Sequence, residues 1–338
     1  MYERRYRKET GVYKTFILCK QIEIMPKVSI IVPVYGVEKY IERCIRSLFE
    51  QTLDDIEYLF IDDCTPDRSI DILKQVLEEY PHRKCQVVIH RMEQNSGQAK
   101  VREWGMKNAT GEYVIHCDSD DWVDIHMYED MYNKAIEDDA SVVVCDFYST
   151  DCEKRHLVRG LISTNRDDVI ADVLLWKIAC CLWNKLVQRE LYLRSKIEYP
   201  INNMGEDGAL VVQILWYANK ISYLPEALYF YYNNPTSITN DITDEKIRRR
   251  FIQATTNVGI IKQFLIDKSS KKINDALTKY IFEQSYLIVS LAKRNKEDLK
   301  KWRASIDNIK SLVYKSPYLS IKNKLVFYLL LFKSKYLK

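Results

Sequence analysis

The segment Asp118-Ser119-Asp120-Asp121 carries carboxylates at a spacing that suits metal-dependent chemistry. It follows residues 113–117, a mostly apolar run that is typical of a buried strand. Because alternate residues of a strand face the same side, Asp118 and Asp120 can converge on one hard cation, Mg²⁺ or Mn²⁺, which would also take the oxygens of a diphosphate. A solvated turn whose aspartates cap the next helix explains the same spacing, so the residues alone leave both interpretations open.

Two further acid pairs stand at the ends of predicted elements. Asp62-Asp63 closes the run 56–61, and a carboxylate at the end of a strand can accept a hydrogen bond from a nucleobase N–H. A turn in which Asp67 caps the following helix is the alternative. Glu206-Asp207 precedes the apolar run 209–217, where the helix dipole favours acids at the first turn whether or not they are catalytic.

Glycine is scarce, with nine in 338 residues against a usual share of about 7%. No G-x-G-x-x-G or G-x-x-x-x-G-K-[ST] occurs, which excludes the phosphate loops of dinucleotide enzymes and P-loop NTPases. A phosphorylated ligand would therefore need a carboxylate-held metal ion or a helix N-terminus. The five histidines form no H-x-x-x-H or H-x-x-H pair, so a zinc-hydrolase site is not expected.

The overall composition is that of a globular protein with one large or two medium domains: 47% hydrophobic residues, 29% charged residues and a net charge of +4. The near balance of acids and bases argues neither for nor against nucleic acid, and no nucleic-acid partner is expected. Nine cysteines without a C-x-x-C indicate free thiols in a reducing compartment, hence a cytoplasmic protein. The longest apolar run, 325–332, is too short to span a bilayer.

Strand and helix patterns alternate four times between residues 28 and 121, which predicts a parallel sheet covered by helices. The carboxyl ends of such strands meet at one edge, so residues 33–35, 62–63 and 118–121 are expected to line one crevice. We predict strands at 28–32, 56–61, 87–89, 113–117 and 141–145. We predict helices at 40–51, 69–79, 99–108 and 127–138, and in the C-terminal part at 246–266, 272–294, 297–312 and 319–336.

The motifs of residues 27–240, taken in order, resemble those of family 2 glycosyltransferases. The matching segments are VSIIVPVY (28–35), SLFEQT (47–52), FIDDCTPD (60–67), NSG with Ala99 and Arg102 (95–102), GEYV leading to DSDD (111–121), WNKL (183–186), GED (205–207) and LY through SI (228–238). Two positions depart from the family pattern. Cys64-Thr65-Pro66 replaces Gly-Ser-Thr, so the loop after Asp63 is expected to be stiffer, and Glu103 stands where Asn is common.

The resemblance implies a GT-A fold, an α/β architecture with a mostly parallel central sheet flanked by helices, here followed by a C-terminal helical appendage. It implies an inverting transfer from a nucleotide-sugar donor, with a UDP-sugar expected, and Mn²⁺ or Mg²⁺ as cofactor. The expected acceptor is a glycan or a lipid-linked molecule in cell-surface polysaccharide synthesis.

The resemblance also assigns the donor site by position. Pro33, Tyr35 and Asp63 would hold the nucleoside, with Asp63 meeting the base N–H and Asp62 supporting it. Asp120 would bind the metal directly. Asp118 would serve the metal or the ribose.

Asp207 would be the general base, with Glu206 beside it in the acceptor cleft. Three further residues have less specific roles. Trp183 would stack on an acceptor sugar or pack in the core. Lys185, near the acceptor, and Arg102, near the nucleotide, would meet phosphate oxygens or pair with the carboxylates.

We predict an N-terminal extension (1–26), a GT-A domain (27–240, with a nucleotide-binding half 27–125 and an acceptor half 126–240) and a helical region (241–338). Residues 321–338 hold five lysines and no acid around their apolar run, which suits contact with an anionic membrane face. Packing on the catalytic domain, or a partner interface such as a homodimer, explains the same pattern. Membrane contact would place the protein at the inner face of a bacterial membrane.

Two other function classes remain open on the sequence. A metal-dependent nucleotidyltransferase would use paired carboxylates, but it normally has a Gly/Arg/Lys-rich loop that residues 32–36 lack. A non-catalytic nucleotide-sugar-binding subunit would not need Asp63, Asp120 and Asp207 to be intact.

Overall fold

The computed structural model describes residues 25–161, 163–194, 196–234 and 243–335, and these form a nine-stranded sheet flanked by helices. The strands are β1 Val28–Val34, β2 Ile56–Asp62, β3 Val87–Arg91, β4 Tyr113–His116, β5 Trp122–Val123, β6 Val142–Thr150, β7 Arg155–Val158, β8 Lys185–Gln188 and β9 Ile221–Tyr232. The helices are α1 Ile41–Phe49, α2 Ser69–Glu79, α3 Gln98–Asn108, α4 Met127–Asp138, α5 Arg166–Leu174, α6 Arg189–Arg194, α7 Glu206–Tyr217, α8 Asp244–Leu265, α9 Lys271–Ser285, α10 Val289–Ala292, α11 Lys296–Ile306, α12 Lys310–Lys315 and α13 Ile321–Lys335.

The first four strands form the parallel sheet that the sequence predicts. They lie in the order β3-β2-β1-β4, and each runs parallel to its neighbours. The apolar runs of β1, β2 and β4 are buried on both faces of the sheet, as is usual for parallel strands covered by helices, whereas the edge strand β3 is only partly buried. The register pairs Val34 with Asp62 and Asp62 with Arg91, so the carboxyl ends meet at one edge.

The second half of the sheet is mixed, and its strand order was not predicted. β8 lies antiparallel between β4 and β6, while β9 runs parallel to β6 and antiparallel to β5. β5 follows the aspartates of residues 118–121 directly and pairs Trp122 with Phe230. The end of β9 is thereby brought beside the acidic segment.

The predicted bounds of α2 and α4 are confirmed, but two long C-terminal helices are each interrupted. The predicted helix 272–294 breaks at a 3₁₀ turn over Tyr286–Ile288. Just before it, the hydroxyl of Ser285 donates to the carbonyl of Phe282, and such local bonds compete with helical pairing. The predicted helix 297–312 breaks at a second 3₁₀ turn over Asp307–Ile309, and Ile309 is buried there.

The C-terminal helices share a hydrophobic core with the sheet. One continuous cluster includes Ile31 of β1, Leu210 of α7, Trp302 of α11 and Phe327 of α13. The predicted boundary near residue 240 lies outside the described residues and remains a prediction, as does the extension 1–26, of which only residues 25 and 26 are described. Among the described helices, none has the length and apolar character needed to cross a membrane.

Candidate active site

Hydrogen bonds from β9 hold the acidic segment that follows β4. The carboxylate of Asp121, which is 1% exposed, accepts from the hydroxyl of Tyr229 at 2.6 Å and from the backbone N–H of Tyr232 at 2.7 Å. The Tyr229 hydroxyl also accepts from the backbone N–H of Asp118 at 3.1 Å. Asp121 therefore anchors the segment and leaves its neighbours to face the crevice.

Asp120 is fixed from two sides. Its Oδ2 accepts from Nδ2 of Asn234 at 3.0 Å. Its backbone carbonyl accepts from Nη2 of Arg43 at 2.9 Å, and the Arg43 guanidinium lies 3.7 Å from the ring centroid of Trp122. A carboxylate held in this way is pre-organised for a ligand.

Arg102 joins three carboxylates that are far apart in the sequence. Its side chain is 1% exposed, and its Nη2 donates to Oδ1 of Asp118 at 2.8 Å. Its Nη1 donates to Oε1 of Glu206 at 3.0 Å and to Oδ1 of Asp207. The planar guanidinium suits such bridging. Of the two roles considered for Arg102, the structure shows pairing with the carboxylates.

This cluster of one cation and three carboxylates shifts the titration of its acids. Burial, reinforced by the charge of Asp207, raises the pKa of Glu206 to about 8. Burial also raises the pKa of Asp207, although the Arg102 charge opposes the rise. A carboxylate with a raised pKa is a stronger base than an ordinary aspartate, which is what a proton acceptor needs.

Asp62, the last residue of β2, and Asp63, which follows it, form hydrogen bonds on the other side of the crevice. Oδ1 of Asp63 accepts from the N–H of Ser96 at 2.7 Å, and Oδ2 accepts from the N–H of Gly97 at 2.8 Å. Asp62 forms an ion pair with Arg91 at 2.6 Å. A carboxylate has about four lone-pair sites, so these bonds leave Asp63 able to accept from a base, and that role remains a prediction.

The end of β1 and the loop after Asp63 lie side by side. Pro33 is half-buried in β1 and Tyr35 is 50% exposed just beyond it. Cys64, which stands at the family's glycine, has a φ of +59°, a left-handed conformation that a glycine adopts without strain. Its thiol donates to the carbonyl of Met92 at 3.0 Å, which helps to hold the loop.

Gly97 connects this loop to the segment that precedes α7. Its φ is +83°, and a Cβ at this position would overlap the carboxamide of Asn203. Oδ1 of Asn203 accepts from the backbone N–H of Ala99 at 3.1 Å. The position therefore needs a glycine for two reasons, backbone conformation and close approach.

Gly97→Ala is expected to raise the donor KM about tenfold or more and to lower the stability by about 2–4 kcal/mol, because the methyl group adds overlap with Asn203 to left-handed strain. Thermal unfolding and initial rates at varied donor concentration measure both effects. Gly36→Ala is the matched control, since Gly36 has a φ of +68° but nothing within 4 Å of a Cβ. Equal losses in the two variants would show that the Asn203 contact has no part.

The C-terminal helices support the loop that leads into α7 and its acid pair. Asn257 on α8 donates from Nδ2 to the carbonyls of Asn202 and Met204, both at 2.9 Å. The hydroxyl of Tyr280 on α9 would lie 2.9 Å from a Cβ at position 208, which accounts for Gly208. The placement of Glu206-Asp207 thus depends on residues beyond 240.

Trp183 and Lys185 both lie inside the protein. Trp183 is 5% exposed and stacks on Tyr229, with 4.2 Å between ring centroids. Lys185 is 1% exposed and donates from Nζ to the carbonyls of Ala179 and Cys181 at 3.0 and 2.9 Å. They support the walls of the crevice, and an acceptor contact by either one remains a prediction.

Comparison with known proteins assigns the family. The glycosyl transferase family 2 model matches residues 29–210, more than half of the chain. The chain belongs to glycosyltransferase family 2. This glycosyltransferase is 32% identical over 241 residues to the uncharacterised glycosyltransferase EpsJ of Bacillus subtilis, and the match covers 68% of each chain.

Solved structures share the fold of this glycosyltransferase. S. aureus TarS 1–349 in complex with UDP-GlcNAc has a TM-score of 0.57 and 19% identity, over 83% of this chain and 89% of that one. The mannosyltransferase PcManGT from Pyrobaculum calidifontis, in complex with GDP-Man and Mn²⁺, has a TM-score of 0.54 and 15% identity, over 96% and 85%. These similarities confirm the predicted GT-A architecture. Family membership favours sugar transfer over nucleotidyl transfer and over a non-catalytic subunit.

The acidic segment of this glycosyltransferase suits a divalent cation. Among the described residues, no three His, Cys, Asp or Glu side chains are grouped to hold a metal ion by themselves. Mg²⁺, however, usually takes one or two protein carboxylates together with substrate phosphates. Burial and the charge of Asp118 raise the pKa of Asp120, and a cation would relieve both effects. The residues present therefore fit the ion.

Four residues that shape the site were not predicted to belong to it. Tyr229 has no role assigned from the sequence, yet its hydroxyl donates to Asp121 and accepts from the backbone N–H of Asp118. It lies in the LY motif, and Asn234 follows soon after, so that motif was a usable signal. The sequence contains no signal for Asn203 or Asn257, because a lone asparagine does not indicate which backbone groups its side chain will bind.

Proposed function

We propose that the enzyme transfers a sugar from a UDP-sugar to a hydroxyl of a glycan or lipid-linked acceptor, with inversion at the anomeric carbon, in cell-surface polysaccharide synthesis. The observation that carries the proposal is the Arg102 cluster, which holds Asp118 of the donor side and Asp207 of the acceptor side on one buried guanidinium. A single displacement needs the donor-side group and the base in place at the same time. The buried Arg102 guanidinium holds both of them in fixed positions.

In this displacement the acceptor oxygen bonds to the anomeric carbon as the bond from that carbon to the diphosphate oxygen breaks. The electron pair leaves with the diphosphate, and the hydroxyl proton passes to the carboxylate of Asp207. Because the pKa of Glu206 is raised to about 8, Glu206 retains its own proton at neutral pH. Asp207 is then the ionised member of the pair and the base.

Asp120, oriented by Asn234, would bind Mn²⁺ or Mg²⁺, and Asp118 would share the ion or meet the ribose. When bound, the ion supplies positive charge to the diphosphate oxygens as negative charge develops on them. The scarcity of glycine agrees with this assignment, since no backbone phosphate loop is available to do the same work.

Asp63, Pro33 and Tyr35 would hold the uridine. Asp63 would accept from the base N–H with a lone pair that Ser96 and Gly97 leave unused. Asp62 supports this position through its ion pair with Arg91. The UDP-GlcNAc complex of TarS supports a UDP-sugar as donor, whereas the sugar itself is left for experiment.

The proposal is tested by incubating the enzyme with a panel of UDP-, GDP- and TDP-sugars, first in thermal-shift assays and then with candidate acceptors. We expect stabilisation and turnover with a UDP-sugar. NMR of the product should show a β-linkage from an α-linked donor. A product that retains the donor configuration would contradict the single displacement.

Metal removal is expected to lower transfer by about 100-fold or more, in line with the several kcal/mol that a charge-stabilising ion contributes. After chelation, addition of Mn²⁺ or Mg²⁺ should restore the activity of the wild type. The Asp120→Ala variant should stay inactive at every metal concentration. Asp54→Ala, a change at an exposed aspartate, is the control. Full activity of Asp120→Ala would overturn the metal assignment.

We also propose that transfer takes place in the cytoplasm at the inner face of the membrane, where a lipid-linked acceptor would be presented. The support for this location is the C-terminal helix α13, whose surface is considered next.

A further inference from the structure

α13 exposes large apolar side chains on the side opposite to its buried face. Phe327 and Leu330 point into the core, at 0% and 5% exposure. Ile321, Leu325 and Leu329 are 78%, 60% and 69% exposed. Their spacing of four residues places them on one side of the helix, and Tyr328 and Phe332, also exposed, fall on the same side. We call these five residues the α13 stripe.

Lysines border the α13 stripe on both sides. At about 100° per residue, Lys322 and Lys333 lie along one edge of the stripe and Lys324 along the other. Residues 308–338 contain seven lysines and no aspartate or glutamate. An apolar band flanked by lysines is the pattern of a helix that lies in a membrane interface, with apolar side chains in the acyl region and ammonium groups at the headgroups.

The surface extends beyond α13 itself. Lys324 donates from Nζ to the carbonyls of Tyr314 and Ser316 at 2.9 and 2.8 Å, so α12 and the turn after it lie alongside. α12 carries two more exposed apolar side chains, Leu312 at 47% and Tyr314 at 71%. The apolar surface is therefore broader than one helix.

Charge decides between a lipid surface and a second copy of the chain. In a two-fold dimer the same patch faces itself, so the lysines beside the stripe would meet lysines of the other copy without any acid between them. Anionic lipid headgroups complement both the lysines and the apolar band.

We infer that the α13 stripe is a docking surface for a bilayer that contains anionic phospholipids, and that it holds the catalytic domain at the membrane without crossing it. The inference does not depend on the donor or acceptor proposed above, because binding to vesicles can be measured without turnover.

The test is flotation of the full chain with phosphatidylcholine vesicles, with and without phosphatidylglycerol. The wild type should bind only the phosphatidylglycerol vesicles. Leu325→Ser/Leu329→Ser should weaken binding about tenfold or more, since interfacial binding scales with buried apolar area. Leu157→Ser/Leu193→Ser is the matched control, because these leucines are 59% and 54% exposed elsewhere, and it should bind like the wild type.

The charge contribution is measured with Lys315→Gln/Lys322→Gln, at the exposed lysines where α12 ends and α13 begins. This variant should bind several-fold more weakly and with less salt dependence. Unchanged circular dichroism spectra and thermal unfolding would show that each variant is folded. Wild-type levels of binding by Leu325→Ser/Leu329→Ser would overturn the inference. A second result would also overturn it. In that result, light scattering shows that the wild type is a dimer, the same two substitutions dissociate the dimer, and the wild type does not bind vesicles.

Discussion

Arg102→Met is expected to lower the free energy of unfolding by about 3–5 kcal/mol and to abolish transfer, because it leaves buried carboxylates without their opposite charge. Asp118, Glu206 and Asp207 all pair with this one guanidinium. Denaturant titration and thermal unfolding measure the loss. Arg102→Lys keeps the charge but not the planar fork, so it should recover part of the stability and less of the activity.

The loss should depend on pH with a defined sign. The charge of Arg102 lowers the pKa values of Glu206 and Asp207, so without it their folded-state values rise further above the unfolded values of about 4. The folded state then binds more protons than the unfolded state, so stability falls as pH rises through this window. Relative to the wild type, the variant should lose most near pH 8 and least near pH 5.

A surface arginine provides the control. Arg46 also contacts two carboxylates, those of Glu42 at 2.9 Å and Glu79 at 2.8 Å, but its side chain is 34% exposed. Arg46→Met should cost no more than about 1 kcal/mol, as is usual for exposed pairs. Similar losses in Arg46→Met and Arg102→Met would argue against a special role for the buried cluster.

Asp207→Asn is expected to reduce kcat by about 10²–10⁴, the usual contribution of a general base. The variant should unfold at the wild-type temperature or above it near pH 8, because burial makes ionisation of Asp207 unfavourable and asparagine carries no charge. Donor KM should change little, since the donor-side carboxylates are untouched. Rates and unfolding measured on the same preparation separate chemistry from stability.

The dependence of wild-type activity on pH independently tests whether Asp207 is the base. Since the pKa of Asp207 is raised, activity should fall on the acid side at a higher pH than an ordinary aspartate would give. Asp167→Asn, in the first turn of α5, controls for the loss of an acid at a helix start and should leave kcat unchanged. If Asp207→Asn lost no more than this control, another residue would have to be the base.

The first half of the sheet, β1 to β4, was predictable because its signals are local. Buried parallel strands need continuous apolar runs, and each run here is closed by the polar residues of the crevice, as at Asp62-Asp63 and Asp118. The same locality explains why α2 and α4 have their predicted bounds. Strand order in the second half depends instead on pairings such as that of β8 between β4 and β6, which no local pattern encodes.

The candidate site also combines features that the sequence predicts with features that it does not. Its carboxylates stand in recognisable motifs, whereas their partners are chosen by the fold. Arg102 had two reasonable roles in the sequence, and the residue that decides between them, Asp207, lies 105 positions away. The interruption at Ser285 was missed because a serine in a helical pattern does not by itself predict a break.

The bonds from Asn257 to the loop before α7 bear on how such enzymes can be recombined. Asn257 and Tyr280 lie beyond residue 210, where the family model ends, yet they contact the loop before α7 and the first turn of α7, which carries the proposed base. A hybrid enzyme that borrowed residues 243–335 from a relative would have to borrow residues 202–208 as well. The helical region and residues 202–208 therefore form a single exchangeable unit.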